Sequence, residues 1–82
     1  MKVADALRNS RVAAGLTQRQ VANMLNVTPQ FISDIEQDRR VLGTKYLPRL
    51  PPDMRAVVAQ AMVSEHLNAI ERISEPQPPE AA

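Results

Sequence analysis

Catalysis needs reactive side chains in suitable company, and this chain of 82 residues offers few. Its single histidine, His66, sits in no serine, cysteine or carboxylate pattern of a catalytic site and reads as an ordinary helix residue. There is no cysteine, so neither a disulfide framework nor a thiolate metal site can form, which fits a reducing compartment. The two glycines, Gly15 and Gly43, are isolated and build no phosphate-cradling loop, and no metal-ligand cluster is spelled out. We therefore expect a non-enzyme that uses neither cofactor nor metal. What remains is hydrogen bonding and charge. The side chains that can supply them concentrate between Gln18 and Lys45, with Gln30, Ser33 and Asp34 at the centre.

The net charge of +1 hides an asymmetry. Residues 1–50 hold eight Lys/Arg against four Asp/Glu, whereas residues 51–82 hold two against five. The first half is thus the half suited to a phosphate surface. No apolar run approaches the roughly 20 residues needed to span a bilayer. The N-terminus Met-Lys-Val-Ala-Asp lacks a signal-peptide core. A chain of this length forms one small domain that buries about 60% of its unfolded surface. With only Phe31 and Tyr46 aromatic, its core must be built from Val, Leu, Ile, Met and Ala.

The elements that position the polar residues can be read from capping and periodicity. Thr17 can N-cap a helix, with Gln20 at the third helical position to complete a capping box. Val21, Ala22 and Leu25 then share one face. Asn26 follows, a residue that tolerates the left-handed region, and Val27 plugs the angle of the turn. Thr28-Pro29 starts a second helix with a capping hydroxyl and a proline at its first position, and Ile32 and Ile35 mark that helix's inner face. Two short amphipathic helices joined by a tight turn make a helix-turn-helix.

This stretch resembles the DNA-binding unit of the lambda-repressor-like (Cro/repressor, Xre-type) transcriptional regulators. The resemblance rests on Leu7, Arg11, Gly15-Leu16-Thr17-Gln18, Ala22, Val27, Thr28, Ile32, Ile35 and Glu36, and covers roughly residues 3–40. Asn26 stands where the family usually has glycine. The resemblance implies that Pro29, Gln30, Ser33 and Asp34 meet base edges in the major groove of double-stranded DNA. Gln30 can pair bidentately with adenine, Asp34 can accept from cytosine N4 or instead pair with a neighbouring arginine, and Pro29 can offer only apolar contact. It also implies backbone contacts from Gln18, at a helix N-terminus, and from Thr28, Arg19, Arg39, Arg40 and Lys45. Phe31 borders the inner face, placed either for half-buried packing or for contact with the sugar edge. Arg11, on the inner side one turn after Leu7, would pair with Glu36 and tie the first helix to the recognition helix without touching DNA.

The rest of the chain frames this unit. Residues 3–14 read as a first helix with Val3, Leu7 and either Val12 or Ala14 facing inward, ended by Gly15. Residues 38–52 break helix periodicity with one glycine and three prolines, and read as a loop with one helical turn around Thr44 to Leu47. Leu42, Leu47 and Leu50 would pin it to the core. In the family, the later helices are usually short and closely spaced. Here residues 53–74 carry neither glycine nor proline and read as one long helix. Met54, Val57, Val58, Ala61 and Met62 form a stripe for the core, and Val63, Leu67, Ile70 and Ile73 lie nearly opposite. A helix with two apolar faces has two partners, so the second face points to a dimer interface. Residues 75–82 are acidic and proline-rich and should be disordered.

The expected whole is all-α: a lambda-repressor-like helix-turn-helix bundle over residues 1–74, with a C-terminal dimerisation helix at 53–74. Its expected role is that of a cytoplasmic, nucleoid-associated, homodimeric repressor with a palindromic operator. Two rival readings are the DNA-binding antitoxin of a toxin–antitoxin pair, gripping a toxin with the long helix or the tail, and a helix-turn-helix adaptor that binds only protein.

Overall fold

Capping residues set the boundaries of the helices in this chain. The computed structural model describes residues 1–74, with side chains as far as Leu67; the segment 75–82, expected to be disordered, lies outside the described residues. In order come α1 (Val3–Ala13), α2 (Gln18–Leu25), α3 (Pro29–Glu36), a 3₁₀ helix (Thr44–Arg49) and α4 (Pro52–Ser74). No strand occurs among the described residues, so the fold is all-α.

Thr17 and Gln20 form the capping box: the Gln20 N–H donates to Thr17 Oγ1 at 3.1 Å, and the Thr17 N–H donates to Gln20 Oε1 at 2.8 Å. Thr28 caps α3 by accepting from the Phe31 N–H at 3.1 Å, with Pro29 in the first turn, where a missing N–H costs nothing. The first three helices also end alike, each with one residue in the left-handed region: Gly15 (φ 73°), Asn26 (φ 57°) and Asp38 (φ 61°). At each end the next N–H reaches back five residues, from Leu16 to Arg11 O, Val27 to Ala22 O and Arg39 to Asp34 O. This is the Schellman closure, which satisfies carbonyls the helix itself cannot. At α3 it also turns the chain so that the side chain of Arg40 returns to the helix it has just left.

The core gathers Leu7 of α1, Val21, Ala22 and Leu25 of α2, and Ile32 and Ile35 of α3. Leu42 and Leu50 of the connecting segment join it, as do Met54, Val58 and Ala61 of α4. Helix α2 packs on α3, and α4 lies chiefly along α1. The largest buried aliphatic side chains each contribute about 1.5–3 kcal/mol, and no aromatic ring is needed.

Two details of the expected packing are corrected. Val12 and Ala14 do not face inward: both are exposed, and the inner face of α1 is Ala4, Ala6, Leu7 and Ser10. Val12 lies five positions past Leu7, which carries it about 140° around the helix from it, and Ala14 caps the end of α1. Ser10 is tolerated inside because its hydroxyl donates to Ala6 O at 2.6 Å. On α4, Met54, Val58 and Ala61 are buried at helical spacing, whereas Val57 is exposed and Met62 is half-buried.

Arginines hold the connecting segment in place. Arg55 donates to the carbonyls of Leu47 (3.1 Å), Pro48 (3.3 Å) and Leu50 (3.0 Å), which α4 could not otherwise reach. Arg49 reaches across to Leu25 O, at the end of α2, at 3.4 Å.

Candidate nucleic-acid interface

Helix α3 has a buried side and a wet side, and each carries a carboxylate. On the buried side, the Glu36 side chain is only 2% exposed. Arg11 donates to it twice, Nε to Oε2 at 2.7 Å and Nη2 to Oε1 at 3.1 Å, a forked pairing that matches guanidinium to carboxylate. Gln18 Nε2 donates to the same Oε1 at 3.2 Å. The remaining Arg11 nitrogen, Nη1, donates to Leu16 O at 2.9 Å. Arg8 Nη2 donates to the Glu36 carbonyl at 2.8 Å, while its Nε stands 3.6 Å from Oε1. One buried carboxylate thus ties together α1, the turn before α2, α2 and α3. The hydrogen bonds with Glu36 push the Arg11 pKa above its ordinary value, with burial opposing and the Glu36 charge adding. A raised folded-state pKa means that Arg11's share of stability is complete at neutral pH and fades only in strong alkali.

On the wet side stand Pro29 and Gln30, both exposed, with Ser33 and Asp34 half-buried beside them. Gln30 Nε2 donates to Asp34 Oδ1 at 2.9 Å, one helical turn away. Asp34 Oδ2 faces Arg40 Nε at 3.6 Å, and Gln37 Nε2 donates to Ser33 Oγ at 2.9 Å. The Arg40 guanidinium also lies over the Phe31 ring, 5.8 Å from its centroid. Phe31 meets Tyr46 at 5.9 Å in a tilted pair, and Lys45 lies 5.1 Å above the Tyr46 ring. Both aromatic residues therefore lie in one row flanked by cations, joining α3 to the 3₁₀ helix. Phe31 takes the half-buried packing position.

The other residues read as candidate backbone contacts lie around this face. Arg19, Arg39, Arg40 and Lys45 are all exposed, and Arg19 and Arg39 form no ion pair among the described residues. Gln18 is half-buried at the first position of α2, and Thr28 is exposed with its hydroxyl oxygen already engaged as a cap. Two participants escaped the sequence reading. Arg8 joins the Glu36 site, and the only signal for it was that Arg8 and Arg11, three apart, share a helical face. Asp38 takes a left-handed conformation that aspartate accepts more readily than most residues, and pairs with Lys2 Nζ at 3.5 Å.

On α4, Val63 and Leu67 face solvent, 59% and 53% exposed. Val63, but not Leu67, lines an open groove of about 550 Å³ together with Val3, Ile35, Arg40, Val41 and Met62. The side chains of Ile70 and Ile73, expected to extend this face, lie outside the described residues. His66 is exposed at the groove, and no cluster of His, Cys, Asp and Glu that could hold a metal exists among the described residues. No described helix is long and apolar enough to cross a membrane.

The model of a helix-turn-helix family matches residues 7–50, just over half of the chain. The match begins at Leu7 on the inner face of α1 and ends at the buried Leu50, so it spans the Glu36 site and the whole outer face of α3. Comparison with curated proteins and with solved structures gives no match.

Proposed function

The chain belongs to the lambda-repressor-like, Xre-type family of helix-turn-helix DNA-binding regulators, and from that premise we propose that it represses transcription by occupying a palindromic operator as a homodimer. The observation that carries this reading is the outer face of α3. A helix whose inner side is anchored through Glu36 presents Pro29 and Gln30 outward at its capped N-terminal end, with Ser33 and Asp34 half-buried one turn further along the same face. That is the end which helices of this type insert in the major groove. Gln30 offers an amide for an adenine edge. Gln18, Thr28, Arg19, Arg39 and Lys45 surround it as phosphate contacts, sequence-independent in themselves and setting the register.

Homodimerisation is supported by the second apolar face of α4. Val63 and Leu67 are wet in the single chain, and Ile70 and Ile73 continue their spacing in sequence. Pairing this strip across a two-fold axis would cover it and set the two α3 helices for successive major grooves about 34 Å apart.

Selecting bound duplexes from a random pool tests both parts. The reading expects a two-fold symmetric sequence and a wild-type chain that sediments as a dimer. The Leu67→Asp variant is expected to be a folded monomer with weakened operator binding. A chain that stays monomeric with and without the selected DNA would overturn the dimer, and would leave the second face of α4 for a different protein such as a toxin.

A further inference from the structure

We propose that Arg40, although it stands outside the recognition helix, sets the base preference of Gln30 by holding Asp34. The proposal rests on the DNA-binding reading above and concerns how one amide is aimed. An ionised carboxylate can only accept hydrogen bonds, so the end of the Gln30 amide that faces Asp34 Oδ1 at 2.9 Å must be the NH₂ end. The amide oxygen is thereby turned away from Asp34, and one N–H is left unused. An outward acceptor beside an outward donor is the pattern that meets N6–H and N7 of adenine. Freed from Asp34, the amide could rotate end for end and present the reverse pattern.

Asp34 can do this only if it stays where it is when phosphates approach, and a carboxylate without a counter-charge would be repelled. Arg40 supplies the counter-charge at Oδ2. Two features bring it there. The Schellman closure at Asp38 reverses the chain at the end of α3, and the guanidinium lies over the Phe31 ring. Arg40, Asp34 and Gln30 therefore form a relay running from the loop to the base-reading amide. In this relay Arg40 is a positioning residue and not a backbone contact.

The test separates the two roles. Gln30→Ala first identifies the base pair that Gln30 reads, as the operator position whose preference collapses. Arg40→Gln and Asp34→Ala are then titrated on the operator, on operators altered at that position and on random DNA, over a range of salt. A surface ion pair carries up to about a fivefold effect. We expect the preference for adenine at that position to fall by up to this factor in each variant, with affinity for random DNA little changed. We also expect the double variant to lose no more preference than either single one. A loss in Arg40→Gln that is uniform across all sequences, with a salt slope smaller by about one, would make Arg40 an ordinary phosphate contact and overturn the relay. Additive losses in the double variant would do the same. A wild-type chain with no operator preference would overturn both the relay and the DNA-binding reading.

Discussion

Asp34 and Glu36 sit two residues apart on α3, and each faces an arginine, yet burial gives the two pairs different work. Two positions along a helix is about 200° of rotation, which sends one carboxylate into the protein and the other to its surface. Glu36, 2% exposed, can bind Arg11 without competition from water, and Gln18 occupies another of its acceptor positions. The Asp34 side chain, 19% exposed, faces an Arg40 that is itself largely in solvent. A buried, fully hydrogen-bonded pair is costly to break because its surviving partner is stranded, whereas a pair with one partner in solvent is worth less and serves to orient its neighbours. The inner side of α3 therefore fixes where the helix stands, and the outer side fixes what it presents.

Substitutions can separate those two jobs. The largest effect should come from Glu36→Gln, which leaves Arg11 and Arg8 facing an uncharged amide. A loss of about 3 kcal/mol in folding stability is expected, read by denaturant unfolding, with base preference unchanged at temperatures where the variant is folded. A melt indistinguishable from wild type would show that the inner pair anchors nothing. Next in size is Gln30→Ala, expected to weaken operator binding by about 1–3 kcal/mol while leaving folding and random-DNA binding nearly intact. Equal losses on operator and random DNA would move Gln30 from base reading to general adhesion. The smallest effect belongs to Arg40→Gln, at most about 1 kcal/mol, confined to the base that Gln30 reads and invisible in a thermal melt.

How much of this could be read without coordinates followed from how local the controlling interactions are. The capping box at Thr17 and Gln20 and the Thr28-Pro29 start are written within four residues, and the helices begin where those residues say. The buried pattern of Val21, Ala22, Leu25, Ile32 and Ile35 follows from spacing alone. Local pattern misled where two faces compete. Val12 is apolar but on the wrong side of α1, and its inner position goes to Ser10, whose hydroxyl is satisfied by the helix's own backbone. Apart from the Arg11–Glu36 pair, which the family resemblance supplied, long-range polar contacts left no local trace. That Arg55 would cap the end of the 3₁₀ helix, or Arg49 the end of α2, depends on where the chain returns after the prolines. The Gln30–Asp34 bond follows helical spacing and could have been anticipated, but the reach of Arg40 to Asp34 required the reversal at Asp38.

The claim on which everything else depends is that the outer face of α3 reads sequence. Its most direct test is a titration of the intact chain against a duplex recovered from a random pool and against a scrambled duplex of the same composition, at two salt concentrations. The account predicts that the recovered duplex binds tighter by about a thousandfold or more, with both affinities falling as salt rises. Equal affinity for the two duplexes, or none for either, would contradict it.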